Sequence, residues 1–216
     1  MFSTYKKIPK PDSEKSIFML NVEKLRPSQF CVGFAEVLAR KEEFFKESNK
    51  ERLNYLRSKP TPIVVDRNDN YWMLDRHHRL RALMEIDNNS KTFGYVVAEV
   101  NTKDITEVLD FLGQQGWLYL YDGRGRGPLS PKLLPSNLMG MTDDPFRSLV
   151  WKLKKQGLIK SQPLIPYYEF RWSRWLRKKP FPPFTSMNLS PAISTAKQIV
   201  NSEAASKFTK LGMEVL

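Results

Sequence analysis

The spacing of apolar residues along the chain changes twice between residues 61 and 86. This stretch constrains the fold more than any other. Two apolar runs, at 63–65 and 71–74, flank a cluster of Asn and Asp residues, which predicts a β-hairpin. The segment HHRLRALMEI follows directly, at 77–86, with its apolar residues at helical spacing. The chain must therefore pass from a buried strand into a helix through a very short turn.

The neighbouring segments predict an α+β domain over residues 17–121. Ser28 is expected to cap a first helix in QFCVGFAEVLARKEEFFKES, whose apolar residues recur at helical spacing. A second helix is predicted over 49–58, a strand over 93–101, and a further helix that Thr102 is expected to cap. This alternation of strands and helices is typical of a small mixed sheet packed against helices.

The rest of the chain is predicted to form an arm and a helical region. Residues 1–16 are polar, contain two prolines, and are expected to form a flexible N-terminal arm. Glycine and proline interrupt the periodicity from residue 122 onward, in DGRGRGPLSPKLLPSN. Helical patterns return in DPFRSLVWKLKKQG, YYEFRWSRWLRKK and SPAISTAKQIVNSEAASKFTKL. Residues 122–216 are therefore predicted to form a mainly helical C-terminal region.

Charge and composition narrow the class of partner. The chain has 35 Lys and Arg residues against 23 Asp and Glu residues, and a formal charge of +12 attracts polyanions. This charge fits the expected partner, nucleic acid or a nucleotide, but does not by itself identify it. The single cysteine, Cys31, excludes an internal disulfide and a cysteine-based zinc cage, and its helical pattern predicts a buried, inert thiol. No apolar run approaches the ~20 residues of a membrane helix, and the N-terminal residues lack the apolar core of a signal peptide. We therefore expect a cytoplasmic protein that does not enter a membrane.

The densest cluster of hydrogen-bond donors lies at the predicted strand-to-helix turn, in YWMLDRHHRLRAL. A helix that begins just after Leu74 leaves several backbone N–H groups without partners in its first turn, and its dipole adds partial positive charge. Phosphate binds such places readily. Four basic residues lie in or beside that turn: Arg76, His77, His78 and Arg79. The sequence therefore predicts that this stretch binds a phosphate group.

Three roles are open to Asp75, the acid of this stretch. It is the N-cap of the helix, a ligand for a Mg²⁺ ion that accompanies the phosphate, or the group that orients a histidine. Adjacent histidines point about 100° apart on a helix, which disfavours a zinc site at His77 and His78. Arg81, further along the helix, is expected to be solvated, whereas Leu80 is expected in the core.

The segment DRHHRLRAL resembles the phosphate-binding box of the ParB/sulfiredoxin superfamily. Further stretches resemble, in order, a narrower family catalogued as putative ParB-like nucleases: LRPSQFCVGFAEVLARK, VVDRNDNYWMLDRHHRLRAL, GRGPLSP, DDPFRSLVWKLKKQG, EFRWSRWLR and NLSPA. They span about residues 21–192. The resemblance implies a ParB/sulfiredoxin-like α+β fold, with a small mixed sheet and helices, followed by a helical C-terminal subdomain specific to the family.

The resemblance also implies a use for the box and a further site residue. Nucleotide-binding partition proteins, a phosphate-transferring repair enzyme and small-molecule serine kinases of the superfamily use the equivalent loop on nucleotide phosphates. Their boxes usually have Gly after the first acid, where this chain has Arg76, which adds a charge and narrows the approach of a phosphate to the backbone. In the kinases a glutamate early in the first long helix resembles a general base, and Glu36 is its nearest counterpart. The alternative for Glu36 is an ion pair with Arg40.

A second basic stretch, DGRGRGP, interleaves Arg124 and Arg126 with glycines. Flexible backbone with guanidinium groups suits a phosphate lid or a nucleic-acid contact. The segment lacks the Gly-Lys-Ser/Thr ending of a Walker loop, and a solvated turn is the alternative. Arg124 and Arg126 are therefore candidate phosphate-binding residues.

The leading hypothesis is a phosphate- and nucleotide-binding protein that acts as a nuclease, a hydrolase of phosphodiesters. In that mechanism Arg76, His78 and Arg79 stabilise charge on the phosphoryl oxygens, and Glu36 or His77 activates water. A Mg²⁺ ion that bridges from the acid of the box is the expected cofactor. Two alternatives remain open: a nucleotide-dependent small-molecule kinase with the same glutamate as base, and a non-catalytic nucleic-acid-binding module.

Overall fold

A computed structural model describes residues 5–162 and 165–210, and it has the α+β architecture that the sequence predicts. In these residues the strands are β1 (Phe18–Asn21), β2 (Leu25–Pro27), β3 (Cys31–Val32), β4 (Thr61–Asp66), β5 (Tyr71–Met73), β6 (Lys91–Val100) and β7 (Thr142–Asp143). The helices are α1 (Phe34–Lys46), α2 (Asn49–Ser58), α3 (His77–Ile86), α4 (Ile105–Gln114), α5 (Pro145–Lys155), α6 (Tyr168–Arg177), α7 (Ser190–Val200) and α8 (Glu203–Lys210).

The main sheet is mixed and has the strand order β1-β6-β4-β5-β2. β4 pairs parallel with β6 and antiparallel with β5, while β1 pairs antiparallel with β6 and β2 parallel with β5. The predicted hairpin is confirmed, because Ile63 lies opposite Met73. Asp66 closes its turn by accepting hydrogen bonds from the backbone N–H groups of Asn68 (2.8 Å) and Asn70 (3.1 Å). The hairpin delivers the chain directly to α3.

The first helix begins at Phe34, so the prediction that Ser28 caps it is wrong. The preceding residues are extended, and Cys31 and Val32 pair in parallel with β7. This long-range pairing satisfies backbone groups that a helix would have used, and it overrides the local helical spacing. Cys31 is fully buried, as expected, although it lies in a strand, and burial raises the pKa of its thiol.

The fourth helix also begins away from its predicted cap. Asp104 occupies the N-cap position of α4, and its Oδ1 accepts the backbone N–H of Thr106 at 2.7 Å. The prediction that Thr102 caps this helix is therefore wrong. The Thr102 hydroxyl instead accepts the backbone N–H of Asp104 at 3.0 Å, which orders the residues that lead into the cap.

Three clusters of buried side chains lie in the described residues. Ile63 belongs to a cluster with α1 and α3, and Val64 to one with α4, so these two clusters occupy opposite faces of the sheet. The third cluster is built from α5 to α8. The β3–β7 pair links the two halves of the chain, and a domain boundary near residue 122 stays a prediction. None of the described helices is long and apolar enough to cross a membrane.

Only part of the predicted N-terminal arm falls within the described residues, because residues 1–4 lie outside them. The carbonyl of Lys6 accepts a hydrogen bond from the indole of Trp117 at 2.7 Å, and the carbonyl of Pro9 accepts one from the hydroxyl of Tyr95 at 2.8 Å. These bonds place residues 6–9 against β6 and the residues that follow α4.

Arg81 is buried, so the prediction of a solvated position on α3 is wrong. Its Nη1 donates to the carbonyls of Leu138 (2.7 Å), Met139 (2.9 Å) and Met141 (3.2 Å), and its Nε donates to Glu85 (3.0 Å). A local pattern cannot reveal this role, because the acceptors come from a turn more than fifty residues later in the chain. Arg81 thereby ties α3 to the segment that leads into β7 and α5.

We predict that Arg81→Lys lowers the free energy of unfolding by about 2 kcal/mol, because one ammonium cannot reach the carbonyls and the carboxylate that the guanidinium serves. Urea unfolding followed by circular dichroism measures the change. Arg67→Lys, at an exposed position of the hairpin turn, is the control and should change stability by less than about 0.5 kcal/mol. Equal unfolding midpoints for the two variants would contradict the prediction.

Candidate phosphate-binding site

A cavity of about 370 Å³ opens in front of the first turn of α3. Its walls include Asp75, Arg76 and His77 from the predicted box, together with Arg147 from α5 and Glu169 from α6. The predicted phosphate-binding turn therefore faces open space rather than the packed core. The N-terminal half of the chain and the C-terminal helices both contribute walls.

The turn into α3 is made by Arg76 in the left-handed conformation, with φ 77° and ψ 14°. Glycine adopts this conformation without strain, which explains why Gly suits this place in the box. Arg76 occupies the N-cap position and its side chain makes no capping hydrogen bond. Asp75 is therefore not the N-cap: its Oδ1 accepts the N–H of Arg76 (2.7 Å) and its Oδ2 pairs with Nη1 of Arg76 (3.0 Å).

His77 is a buried, neutral residue that holds another part of the chain. Its Nε2 accepts the backbone N–H of Ser28 at 3.3 Å, so Nδ1 carries the ring proton. Burial lowers the pKa of His77 to about 3, and the neighbouring His78 and Arg147 lower it further in the same direction. His77 therefore lines the cavity as a hydrogen-bond donor, and its basicity is small at neutral pH.

His78 has the same kind of partner but does not line this cavity. Its Nε2 accepts the backbone N–H of Gly33 at 2.9 Å, and its Nδ1 lies 3.7 Å from a carboxylate oxygen of Glu36. Burial lowers the pKa of His78, although the Glu36 carboxylate opposes the shift. Glu36 also pairs with Arg40 at 3.6 Å. The structure thus brings Glu36 and His78 together beside the start of α1, and neither is among the described residues that line the cavity.

The remaining predicted arginines lie elsewhere on the molecule. Arg79 donates to the carbonyl of Lys59 at 3.4 Å and lies over the ring of Tyr55, 4.7 Å from its centroid. Arg124 and Arg126 are exposed in a turn whose backbone N–H groups bond the carboxylate of Asp122, both at 2.9 Å. None of these three arginines is among the cavity's described lining residues. The 122–127 stretch is a closed turn stabilised by its own acid.

Arg147 is the cavity residue best suited to bind an anion, and the sequence did not single it out. Its side chain is only 5% exposed, and its Nη2 pairs with Oε2 of Glu169 at 3.1 Å. The guanidinium lies over the ring of Phe170, 3.9 Å from the centroid. Its Nε and Nη1 are buried and have no hydrogen-bond partner within residues 5–162 and 165–210. A buried donor left in this state costs free energy that a bound anion would recover.

Lys154 and Glu169 complete this cluster. The other carboxylate oxygen of Glu169 bonds the ammonium of Lys154. Burial would raise the pKa of Glu169, but the charges of Arg147 and Lys154 outweigh it and lower this pKa to about 2. The one sequence signal was spacing, because Arg147 and Lys154 are seven residues apart and so share a face of α5. Nothing local indicated that this face meets the start of α3.

The N-terminus of α1 contrasts with that of α3, because protein groups fill it. Oδ1 of Asp143 accepts the N–H of Phe34 at 3.0 Å, and Oγ of Ser148 accepts the N–H of Ala35 at 3.1 Å. The backbone of α5 approaches so closely here that a Cβ added to Gly33 would lie 2.6 Å from the amide nitrogen of Ser148. The α1 terminus is therefore closed to ligands, whereas the α3 terminus borders the cavity.

The expected Mg²⁺ ion finds no protein-built cage in the described part of the chain. No group of three or more His, Cys, Asp or Glu side chains is arranged there to hold a metal ion. Both oxygens of Asp75 already bond Arg76. A magnesium ion at this site would therefore have to arrive with the phosphate of the ligand, and it stays a prediction.

Comparison with known proteins agrees with this architecture. The model of the family described as "Putative ParB-like nuclease" matches residues 18–178. The crystal structure of protein Atu1540 from Agrobacterium tumefaciens superposes on this chain with a TM-score of 0.78 and 26% sequence identity. That match covers 88% of this chain and 93% of the other. A search of curated proteins found no match.

The buried neutral state of His77 predicts a specific acid sensitivity. Its pKa is lowered from 6.5 to about 3, so the unfolded chain binds the extra proton first and stability falls as the pH drops below 6.5. Because the unfolded histidine is only half protonated at pH 6.5, the expected loss for this residue averages about 1 kcal/mol per pH unit between pH 6.5 and 5. His77→Gln keeps an acceptor for Ser28 and should reduce the slope between pH 6.5 and 5 by that amount in urea unfolding. Parallel curves for the variant and the unaltered protein would contradict this account.

The left-handed conformation of Arg76 gives a second prediction. Arg76→Gly should raise the free energy of unfolding by about 0.5–1 kcal/mol, because the strain of a non-glycine residue is removed. Arg76→Ala is the matched control, since it removes the same side chain but keeps the Cβ. Thermal and urea unfolding should rank the glycine variant above the alanine variant. The reverse order would show that the turn is unstrained.

Proposed function

The chain belongs to the putative ParB-like nuclease family, and from this membership we propose that it binds the phosphate of a nucleotide or of a single nucleic-acid strand in the cavity at the start of α3. The family makes phosphodiester hydrolysis the first reaction to consider. The proposal concerns the ligand and the residues that bind it. The cavity residues are better suited to binding a phosphate than to the chemical step of its hydrolysis.

The buried guanidinium of Arg147 carries the proposal. A charge that is 95% buried, with two nitrogens that have no partner in the described part of the chain, is costly unless an anion completes its hydrogen bonds. Arg147 lines the cavity that the first turn of α3 also borders. Phosphate matches both features, because guanidinium binds its oxygens in a fork and helix N-termini favour negative charge.

The size and the walls of the cavity favour one nucleotide unit. A volume of about 370 Å³ lies at the small end of the range for ligand sites, about 300–1,000 Å³, and it does not admit a duplex. Aromatic side chains line it beside the charged groups: Tyr5, Trp117, Tyr167, Tyr168 and Phe170. The Arg147 guanidinium already lies over Phe170, and bases stack on rings like the other four without regard to sequence. These walls suit the base of a mononucleotide or of a strand end.

In hydrolysis, the cavity residues would act chiefly on charge. Arg76 and Arg147 would stabilise negative charge on the phosphoryl oxygens, and His77 would donate a hydrogen bond from Nδ1. Glu36 and His78 act from outside the cavity: through Gly33 they position the segment before α1. The kinase alternative requires Glu36 beside the ligand, and its place near Arg40 does not favour that reaction.

We predict that Arg147→Lys weakens binding of 5′-AMP and of a short single-stranded DNA by 10-fold or more, because lysine keeps the charge but loses the fork. Isothermal titration calorimetry measures the affinities, and cleavage of the same DNA is assayed with Mg²⁺ and with EDTA. Arg57→Lys, at an exposed position of α2, is the matched control and should bind like the unaltered protein.

The outcomes separate the candidate functions. Binding by the unaltered protein that both arginine variants retain equally would overturn the cavity as the phosphate site. Cleavage that survives Arg147→Lys unchanged would identify a contaminating nuclease. Binding without cleavage would favour the non-catalytic module, and transfer of phosphate from ATP to a small hydroxyl compound would favour the kinase. A double variant, Arg124→Gln with Arg126→Gln, tests the 122–127 turn, and weaker binding of the strand alone would assign that turn a nucleic-acid contact.

A further inference from the structure

Glu169 already forms ion pairs with the two cationic side chains that the proposed phosphate would bind. One of its carboxylate oxygens pairs with Nη2 of Arg147 at 3.1 Å, and the other bonds Lys154. Its side chain is 29% exposed and lines the cavity. An acid in the middle of an anion site is unexpected, since it lowers the affinity of the site for a second anion.

The ion pair with Glu169 leaves part of the hydrogen-bonding capacity of Arg147 unused. A guanidinium can bind an anion bidentately through either of two pairs of nitrogens, or forks: Nε with Nη2, and Nη1 with Nη2. Nη2 therefore belongs to both forks. Glu169 places a single oxygen on this nitrogen, because its other oxygen is directed to Lys154. Nε and Nη1, the second members of the two forks, are the nitrogens with no partner among the described residues.

A phosphate group could bind both cations together and give a partner to one of the two unpartnered nitrogens. Its oxygens are tetrahedrally arranged, so two can fill one fork of Arg147 while a third reaches Lys154. A carboxylate has only two oxygens and cannot do both. Nη2 has two N–H groups, so Glu169 and a phosphate could share Arg147, but the two anions would then lie side by side on Arg147 and Lys154, and their repulsion favours release of the carboxylate.

We propose that Glu169 is an internal stand-in for the ligand phosphate, which holds Arg147 and Lys154 in place in the free protein and is displaced when phosphate binds. This inference rests on the proposed function and adds a mechanism by which the site selects its ligand. A ligand must supply enough oxygens to replace the carboxylate on both cations. Carboxylates and other two-oxygen anions gain little from the exchange.

The displaced carboxylate has a favourable place to go. Glu169 lies in the first turn of α6, where the helix dipole stabilises negative charge. The N-cap residue of α6, Tyr167, directs its hydroxyl to the carbonyl of Gly116 at 2.8 Å rather than to the amides of that turn. Glu169 can therefore rotate toward solvent and remain near its own helix terminus.

The test measures the affinity of the full chain for inorganic phosphate and for 5′-AMP by calorimetry. Glu169→Gln should bind both about 10-fold more tightly than the unaltered protein, because the competing anion is gone. Glu43→Gln is the matched control: Glu43 also pairs with two cations, Arg40 at 2.9 Å and Lys155 at 3.5 Å, and its loss changes the net charge equally. This control should leave both affinities unchanged.

A second variant keeps the test decisive if the glutamine variant is unstable. Glu169→Asp retains the charge but is too short to bridge both cations, so its affinity for phosphate should lie between those of the glutamine variant and the unaltered protein. Phosphate should also raise the melting temperature of both Glu169 variants more than that of the Glu43 variant.

The results distinguish a failure of the proposed role of Glu169 from a failure of the proposed phosphate site. Equal phosphate affinity in the Glu169 and Glu43 variants, with binding lost in Arg147→Lys, would overturn the stand-in while the phosphate site remains. Weaker binding by Glu169→Gln would overturn it too, since the carboxylate would then assist the ligand. No binding by any variant would remove both proposals, whereas binding gained only by Glu169→Gln would support both.

Discussion

Two backbone N–H groups held by adjacent imidazoles determine how the candidate site is built. Nε2 of His77 accepts the N–H of Ser28, and Nε2 of His78 accepts the N–H of Gly33. These bonds fasten the residues before α1 to the first turn of α3, so the start of α3 is fixed relative to the sheet. The acceptor nitrogens of the paired histidines are therefore used within the protein, which leaves the arginines beside the cavity as the candidate anion-binding groups.

The contrast between two helix N-termini follows from this arrangement. At α1 the first-turn amides bond Asp143 and Ser148, which close that terminus. At α3 the turn through Arg76 provides no such cap, and a cavity lies in front of it. The C-terminal helices bring Arg147 to the same cavity, so a site predicted from one turn is completed by residues seventy positions away.

The elements that the sequence predicted well are those with local causes. The hairpin and α3 follow from the hydrophobic period, the turn residues and the short connection between them, and the turn that is predicted to bind phosphate borders a cavity. The start of α1 was missed because β3 pairs with β7, more than a hundred residues later. Arg147 and Glu169 were missed for the same reason, since only the folded chain brings α5 and α6 to the start of α3. The burial of Arg81 likewise depends on carbonyls from a distant turn.

The close contact between Gly33 and the α5 backbone makes the cavity vulnerable at a distance. Any side chain at position 33 would press on the first turn of α5, at the residue that directly follows Arg147. The helix would have to shift, and the guanidinium would move with it. A genetic screen for lost binding at the cavity would then recover substitutions at a glycine that does not line it. The set of positions found in such a screen would extend beyond the cavity residues.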